Sequence, residues 1–591
     1  MDPHSFSNPH QIRIKHVDLE LAVSFDKRTI HGVAVLFLEH PGPEHSELVL
    51  DSLDLNIIKV ECSHDGSDYQ TANFSLGERH PIFGSPLKIE LRGNATRVRI
   101  EYLTSPDARG LQWLEPDQTS AKTDPFLLTQ SQAINARSWV PLQDSPAVRM
   151  TYRATINCPG RLMAVMGAGN NPSTPQNGRY DFEMPQPIPS YLFAFAVGNL
   201  AFKSLGPRSG VYAEQPLIEM AGAEFSDLEL MMETTERLYG PYRWNRYDIL
   251  VLPSGFPLGG MENPRLTFAT PTIIAGDKSL VSLVTHELAH SWAGNLVTNA
   301  TWNDFWLNEG FSVYVERRVV EEIYGPRRAE METMLGRQDL EEELARLPAE
   351  DQILAADLEG RDPDDCVTKV PYEKGALFLR QLEEVFGRST FDSFLRRYFD
   401  DFAFKSITTA EFVSYLSEHL FANDKRSAAI PVREWLFEPG LPASAPRPSS
   451  KALTDVRSMA SQWLHEHKSA RWLKTSNWTA QEWLQFLRCM PPDLTAERLR
   501  ELDEEFSLTA SGNSEIASQW LLAAIRADYK PAVERLDRFL IQIGREKLIE
   551  PLYKELVKSP AGRKHAGNIY RQARGGYHPL VARRIDRLLN Q

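Results

Sequence analysis

Cysteine is scarce, with Cys62, Cys158, Cys366 and Cys489 the only four in 591 residues and no CxxC pair among them. That spacing excludes a disulfide framework and argues against a thiolate metal cluster or a redox dithiol, so buried free thiols are expected. No run reaches the ~18 consecutive apolar residues of a membrane span. Residues 1–15 interleave His, Asp, Asn, Arg and Lys where a secretory signal would carry an apolar core. A cytoplasmic protein without membrane insertion is the expectation. Positive charge is also short, 65 Lys and Arg against 79 Asp and Glu, a net of −14. The chain lacks the broad basic face that neutralises phosphates, and nucleic acid is not an expected partner.

What is present is an ordinary globular composition, 42% apolar and 24% charged. At about 150 residues per domain the length suggests roughly three to four domains. Residues 1–204 read as a β domain. Val17, Leu19, Leu21, Val23 and Phe25 alternate with other residues, and Val33, Val35 and Phe37 repeat the pattern after a turn-like Asp26-Lys27-Arg28. Further short apolar runs, such as 98–103 and 191–197, are broken by turn formers, as in a sheet sandwich or saddle. Residues 205–437 change to helical patterning at 228–238 and 280–296, with a strand near 248–252. Thr408 and Glu411 have capping-box spacing. Residues 438–450 are rich in Pro and Ser and read as a linker. Residues 451–591 look all-helical, with a second capping-box spacing at Thr479 and Glu482 and apolar residues such as Trp520, Leu536 and Phe539 at helical intervals. A solenoid-like stack of helices fits this end, and a multidomain α+β architecture fits the whole.

The chemistry concentrates at His286-Glu287-Leu288-Ala289-His290. On a helix, positions i and i+4 share a face, so both imidazoles can reach one ion, and zinc accepts neutral imidazole nitrogen. Glu287 is placed to take a proton from a water on that ion. Glu309, with 18 residues between it and His290, begins another helical pattern. Two histidines and one glutamate leave the fourth zinc position open, as hydrolysis requires. Upstream, Gly259-Gly260-Met261-Glu262-Asn263-Pro264 allows close backbone approach to a ligand and offers a carboxylate to a substrate ammonium. Taken alone, that segment fits an ordinary glycine turn equally well.

The pair of motifs, Gly-Gly-Met-Glu-Asn and His-Glu-x-x-His-x18-Glu, resembles the gluzincin zinc aminopeptidases, and specifically their bifunctional leukotriene A4 hydrolase type. The likeness continues at Leu111-Gln112-Trp113-Leu114, Gln130-Ser131-Gln132-Ala133-Ile134, Val370-Pro371-Tyr372-Glu373-Lys374-Gly375 and Gly544-Arg545-Glu546-Lys547. The resemblance implies an N-terminal β saddle, a thermolysin-like, mainly helical catalytic domain and a C-terminal helical domain. It implies one Zn2+ ion held by His286, His290 and Glu309, with Glu287 as general base and Tyr372 as donor to the oxyanion. Gln130, Ser131, Gln132, Leu258, Gly259, Gly260, Met261 and Glu262 are implied in substrate binding, with Glu262 and Gln132 receiving a free α-amino group. Arg545 and Lys547 match a pair that receives the substrate carboxylate. The expected substrates are short peptides with a free N-terminus, and the expected state is a monomer. Asp364 matches a carboxylate associated with epoxide opening, but Val367 and Leu258 stand where the family has tyrosines. Zinc aminopeptidase is therefore the first reading. A primary epoxide hydrolase and a non-catalytic peptide-binding protein are the alternatives.

Overall fold

The computed structural model describes residues 2–40, 46–92, 95–174, 177–422 and 424–590. The first alternating segments form strands Arg13–Ser24 and Thr29–Glu39, joined by a turn at 25–28. They pair antiparallel, with Val17 opposite Leu36 and Leu19 opposite Ala34. Residues directly opposite each other share a face. The second strand therefore buries Ala34, Leu36 and Leu38, while Val33, Val35 and Phe37 stay partly exposed. The sequence expectation had taken the wrong parity there. Both parities of that strand are apolar, so only the pairing register decides which faces the core.

These two strands lie in a seven-stranded sheet ordered 179–189, 149–157, 13–24, 29–39, 97–103, 56–63 and 70–71. A four-stranded and a three-stranded sheet complete the N-terminal region. A five-stranded sheet follows, ordered 200–204, 209–214, 247–251, 266–269 and 260–261. It begins on the N-terminal side of residue 205. Its edge strand, Gly260–Met261, runs antiparallel to Leu266–Ala269 and brings the double glycine to the rim of a cleft.

Three helices line the cleft, α1 (Ser282–Ala289), α2 (Trp306–Tyr324) and α3 (Pro326–Leu344), and a fourth, α4 (Gly375–Phe386), packs against α2. The helix expected over 280–296 is only α1. The chain leaves it at His290 and turns through Gly294, whose φ of +105° suits a residue without Cβ. A side chain there would also meet Asn308 Oδ1 at 2.4 Å. One π turn, Val370–Lys374, leads into α4 and carries Tyr372.

Between Phe437 and Lys451 the chain forms neither helix nor strand, yet it is pinned down. Lys374 Nζ donates to Glu438 O, Gln381 Nε2 donates to Ser444 O, and Ala445 is buried. Beyond it stand eight α-helices among the described residues, including α5 (Ala480–Arg488), α6 (Ser514–Arg526) and α7 (Glu546–Leu556). Alternate helices pack together, α5 on α6 and α6 on α7, in a solenoid-like stack with its own core around Trp463, Phe486, Trp520 and Phe539. Both capping boxes form, Thr408 with Glu411 and Thr479 with Glu482.

The three regions meet through ion pairs such as Arg109 with Asp362 and Arg327 with Glu482, and through contacts that reach backbone. Gln112 Nε2 donates to Gly255 O and Gly576 O, at 3.0 Å each. Gly544 N donates to Ser254 O at 2.8 Å, and a Cβ on Gly544 would strike Gly255 O at 2.6 Å. Glycine there lets two backbones touch. Cys62 is buried, whereas Cys158 and Cys489 are half-buried, all three as free thiols. The expectation of burial thus fails for two of them, and the Cys366 side chain lies outside the described residues. Among the described residues no helix is long and apolar enough to cross a membrane.

Candidate metal centre and substrate cleft

A cleft of about 1030 Å³ is lined from all three regions, by Gln132 at one wall, α1 and α2 at the floor, and Arg545 and Lys547 at the far end. His286 and His290 lie one turn apart on α1 and its C-cap, and Glu309 opens the first turn of α2. The two Nε2 atoms are 3.1 Å apart, and Glu309 Oε2 lies 3.3 Å from His286 Nε2 and 3.6 Å from His290 Nε2. Four ligands placed tetrahedrally at zinc distances of about 2.0–2.1 Å would be separated by ~3.3 Å. The three atoms already have that spacing.

The outer hydrogen bonds aim them. His286 Nδ1 meets Glu316 Oε2 at 3.1 Å, and His290 Nδ1 meets Ala293 O at 3.0 Å and Ser312 Oγ at 2.9 Å. A proton on each Nδ1 leaves each Nε2 as a lone pair. Burial lowers His290 to about 4, so this ring is neutral near pH 7. Burial also opposes charge on His286, but the adjacent Glu309 and Glu316 carboxylates raise its pKa well above the ordinary value. Glu309 Oε2 is buried without a hydrogen-bond partner. Three converging lone-pair atoms, one an orphaned carboxylate oxygen, suit a dication, and zinc fits this nitrogen and oxygen set.

More buried carboxylate surrounds them. Glu287, 5% exposed, is raised well above its ordinary pKa by burial, reinforced by Glu262, Glu309 and Glu316 against His286. Burial and the Glu309 charge push Glu262 up to about 8. Ligand-type atoms of Glu262, Glu287 and His290 lie within 4.8 Å of one another. This end of the cleft is short of positive charge, which a metal ion and a substrate ammonium would supply.

Gly260 makes room for the Glu287 carboxylate, since a Cβ there would meet Glu287 Oε1 at 2.3 Å. At Gly259 a Cβ would meet Leu283 Cδ1 at 2.4 Å and Arg545 Nη2 at 3.0 Å. Gln132 Nε2 reaches Glu262 Oε1 at 3.4 Å, and Asn295 Nδ2 holds the Glu262 carbonyl at 2.7 Å. Tyr372 stacks on His286 with ring centroids 6.3 Å apart, and its hydroxyl faces the Glu309 carboxylate. Burial, with Glu309 and Glu262 nearby, raises its pKa far above the usual phenol value, so it stays a donor.

Gln130 and Leu258 line the cleft with these residues, but Ser131 and Met261 do not. Ser131 Oγ donates to Phe193 O at 2.6 Å and accepts from Trp139 Nε1, bracing the loop from behind. Met261 Sδ accepts from Gln130 Nε2. In extended chain, alternate side chains leave a shared wall, which separates these two from their neighbours. Asp364 lines the cleft, but its oxygens accept from Ala133 N at 2.9 Å and Asn135 Nδ2 at 3.0 Å.

Arg545 and Lys547 share Glu515, at 3.1 Å and 3.0 Å. Burial opposes charge on Glu515, but Lys547 and Arg545 outweigh it and hold its pKa at about 2. Sequence reasoning missed Glu316, Ser312 and Glu515. Glu316 was findable, being seven residues past Glu309 and so on the same face of α2. Glu515 had no local signal, since its role depends on helices 30 residues apart meeting.

Residues 13–192 match the peptidase M1 N-terminal domain, 225–435 the peptidase family M1 domain, and 478–589 the leukotriene A4 hydrolase C-terminal domain. The chain is 36% identical over 600 residues to the leukotriene A-4 hydrolase of Xenopus laevis, covering 98% of each. It is 35% identical over 618 residues to leucine aminopeptidase 2 of Sclerotinia sclerotiorum, covering 100% of each. Its fold resembles the structure of yeast LTA4 hydrolase in complex with bestatin, with a TM-score of 0.92 and 32% identity over 100% of this chain and 97% of that one.

Proposed function

The chain belongs to peptidase family M1, in the branch with a leukotriene A4 hydrolase C-terminal domain, and from that membership we propose that it releases N-terminal residues from short peptides. The observation that carries this reading is the convergence of His286 Nε2, His290 Nε2 and Glu309 Oε2, with Glu287 and Glu262 beside them. These three residues would hold the family's single zinc. When bound, zinc supplies a Lewis acid for the scissile carbonyl and lowers the pKa of a water.

The chain's own residues do the rest. Glu287 takes the proton of the attacking water and delivers it to the leaving amine. Tyr372 donates a hydrogen bond to the oxygen on which negative charge develops. Glu262, helped by Gln132, receives the substrate's ammonium. A buried carboxylate gains most from one buried cation, so a blocked N-terminus is rejected and the enzyme is an exopeptidase. At the far end Arg545 and Lys547 carry two positive charges against one on Glu515. The remaining single positive charge matches one substrate carboxylate, which favours peptides short enough to span the cleft.

Glu287→Gln tests the assignment. The variant should keep one zinc per chain by elemental analysis and lose turnover by at least ~100-fold. Full turnover in a zinc-loaded variant would remove Glu287 from its role. A weaker epoxide hydrolysis is a second reading, favoured by Asp364 lining the same cleft. Diol formation from a lipid epoxide, lost in Asp364→Asn, would support it; no diol from the native enzyme would end it. Free thiols fit a reducing compartment, and we place the protein in the cytoplasm, which cell fractionation tests.

A further inference from the structure

The mechanism uses the Tyr372 hydroxyl but leaves unexplained a largely buried ion pair that lines the same cleft beside it. Arg317, on α2, forks onto the carboxylate of Glu373, the residue after Tyr372, with Nη1 to Oε2 at 2.8 Å and Nη2 to Oε1 at 2.7 Å. The pair fills a recess that exists because α3 has a glycine there. A Cβ on Gly336 would meet Glu373 Oε1 at 2.3 Å and Arg317 Nη2 at 2.5 Å. Two further fasteners hold the same turn. Lys374, fully buried, donates from Nζ to Gln352 O and Glu438 O, at 2.8 Å each. Gly310 and Gly375 pack backbone to backbone, so that a Cβ on Gly310 would lie 2.8 Å from Gly375 Cα and 3.0 Å from Pro371 O.

The ion pair and the glycine contact fix the Tyr372 turn to α2, while Lys374 ties it to the chain at Gln352 and Glu438. Along α2, Glu309 supplies a carboxylate to the metal centre, Ser312 braces His290, Glu316 braces His286 and Arg317 grips Glu373. The spacings of three, four and one residues keep these side chains on adjoining stripes of one surface. A single rigid element thus sets the distance between the metal ligands and the tyrosine.

We propose that Arg317 is a positioning residue of the peptidase reaction, acting through Glu373 to hold the Tyr372 hydroxyl in register with the metal centre. The inference rests on Tyr372 being the oxyanion donor. A bidentate pair fixes two angles as well as a distance, which a lysine at the same place cannot do.

A mutant cycle on tripeptide hydrolysis tests it, with zinc content measured for each protein. Arg317→Met should lower kcat by roughly 10- to 100-fold, the scale of a small misplacement, and leave KM nearly unchanged. Zinc should stay at one per chain. Arg317→Lys should recover part of the loss. In a Tyr372→Phe background, Arg317→Met should cost no more than about twofold, because the group it positions is gone. An unchanged kcat in Arg317→Met would overturn the proposal, as would an equal fold-loss in both backgrounds. A wild-type kcat in Tyr372→Phe alone would overturn the parent reading and this inference with it. Should Arg317→Met fail to fold, Glu373→Gln closes the same cycle while keeping a hydrogen-bond partner for Arg317.

Discussion

Gly260 shows how little space the chemistry leaves. The Glu287 carboxylate occupies the volume a Cβ would need, with Oε1, Cδ and Cγ at 2.3, 2.4 and 2.6 Å from it. Gly260→Ala should therefore displace the Glu287 carboxylate, the proposed general base, without touching a proposed metal ligand. The expected result is a loss of kcat on the order of tenfold or more with zinc content intact. A normal kcat would mean that the base works from another position. At this scale the sequence was most legible where function demands adjacent residues. The pentapeptide from His286 to His290 announces itself because a helix turn sets the spacing of two imidazoles. Ser131 and Met261 were misplaced because side-chain direction in an extended segment follows from its register, which the letters do not show.

At the scale of elements, α2 does more than its sequence suggested. Glu309 was readable as a candidate ligand, but Ser312, Glu316 and Arg317 meet groups that come from other elements. The reading of α1 ran too long for a different reason. The segment after His290 is apolar enough to continue a helix, but Gly294 reverses the chain so that Asn308 can pack against it. That 438–450 forms neither helix nor strand was readable from its Pro and Ser, while its anchoring by Lys374 and Gln381 was not. The Glu515 link between α6 and the start of α7 can be tested by pH. Its folded pKa of about 2 lies below the ordinary 4.5. A depressed carboxylate pKa stabilises above the unfolded value, and that contribution disappears as pH falls from 4.5 toward 2. Glu515→Gln should cost about 3 kcal/mol at neutral pH, with the gap to wild type closing toward pH 2. Urea midpoints across that range measure it, and a gap independent of pH would contradict the assigned ionisation.

For the whole molecule, the cleft is a product of assembly. Glu262 and the metal centre belong to the middle region, Gln132 to the N-terminal sheets, and Arg545 with Lys547 to the C-terminal helices. Gln112, bonded to Gly255 and Gly576, and the Gly255–Gly544 contact set how these parts sit. The three-part organisation was legible because composition and periodicity change along the chain. The domain contacts were not, since they join residues far apart in sequence, such as Arg109 with Asp362, Arg327 with Glu482 and Gln112 with Gly255 and Gly576. Glu262 and Glu287 put carboxylate beside the candidate metal ligands, while Arg545 and Lys547 outnumber Glu515 elsewhere in the same cleft, so the polarity of a bound peptide would follow from the assembly. The most direct measurement is hydrolysis of tripeptides with free and acetylated N-termini, by native enzyme, chelated enzyme and enzyme resupplied with zinc. The account predicts cleavage of the free series alone, lost on chelation and restored by zinc. Cleavage of the acetylated series at a comparable rate, or turnover that survives zinc removal, would contradict it.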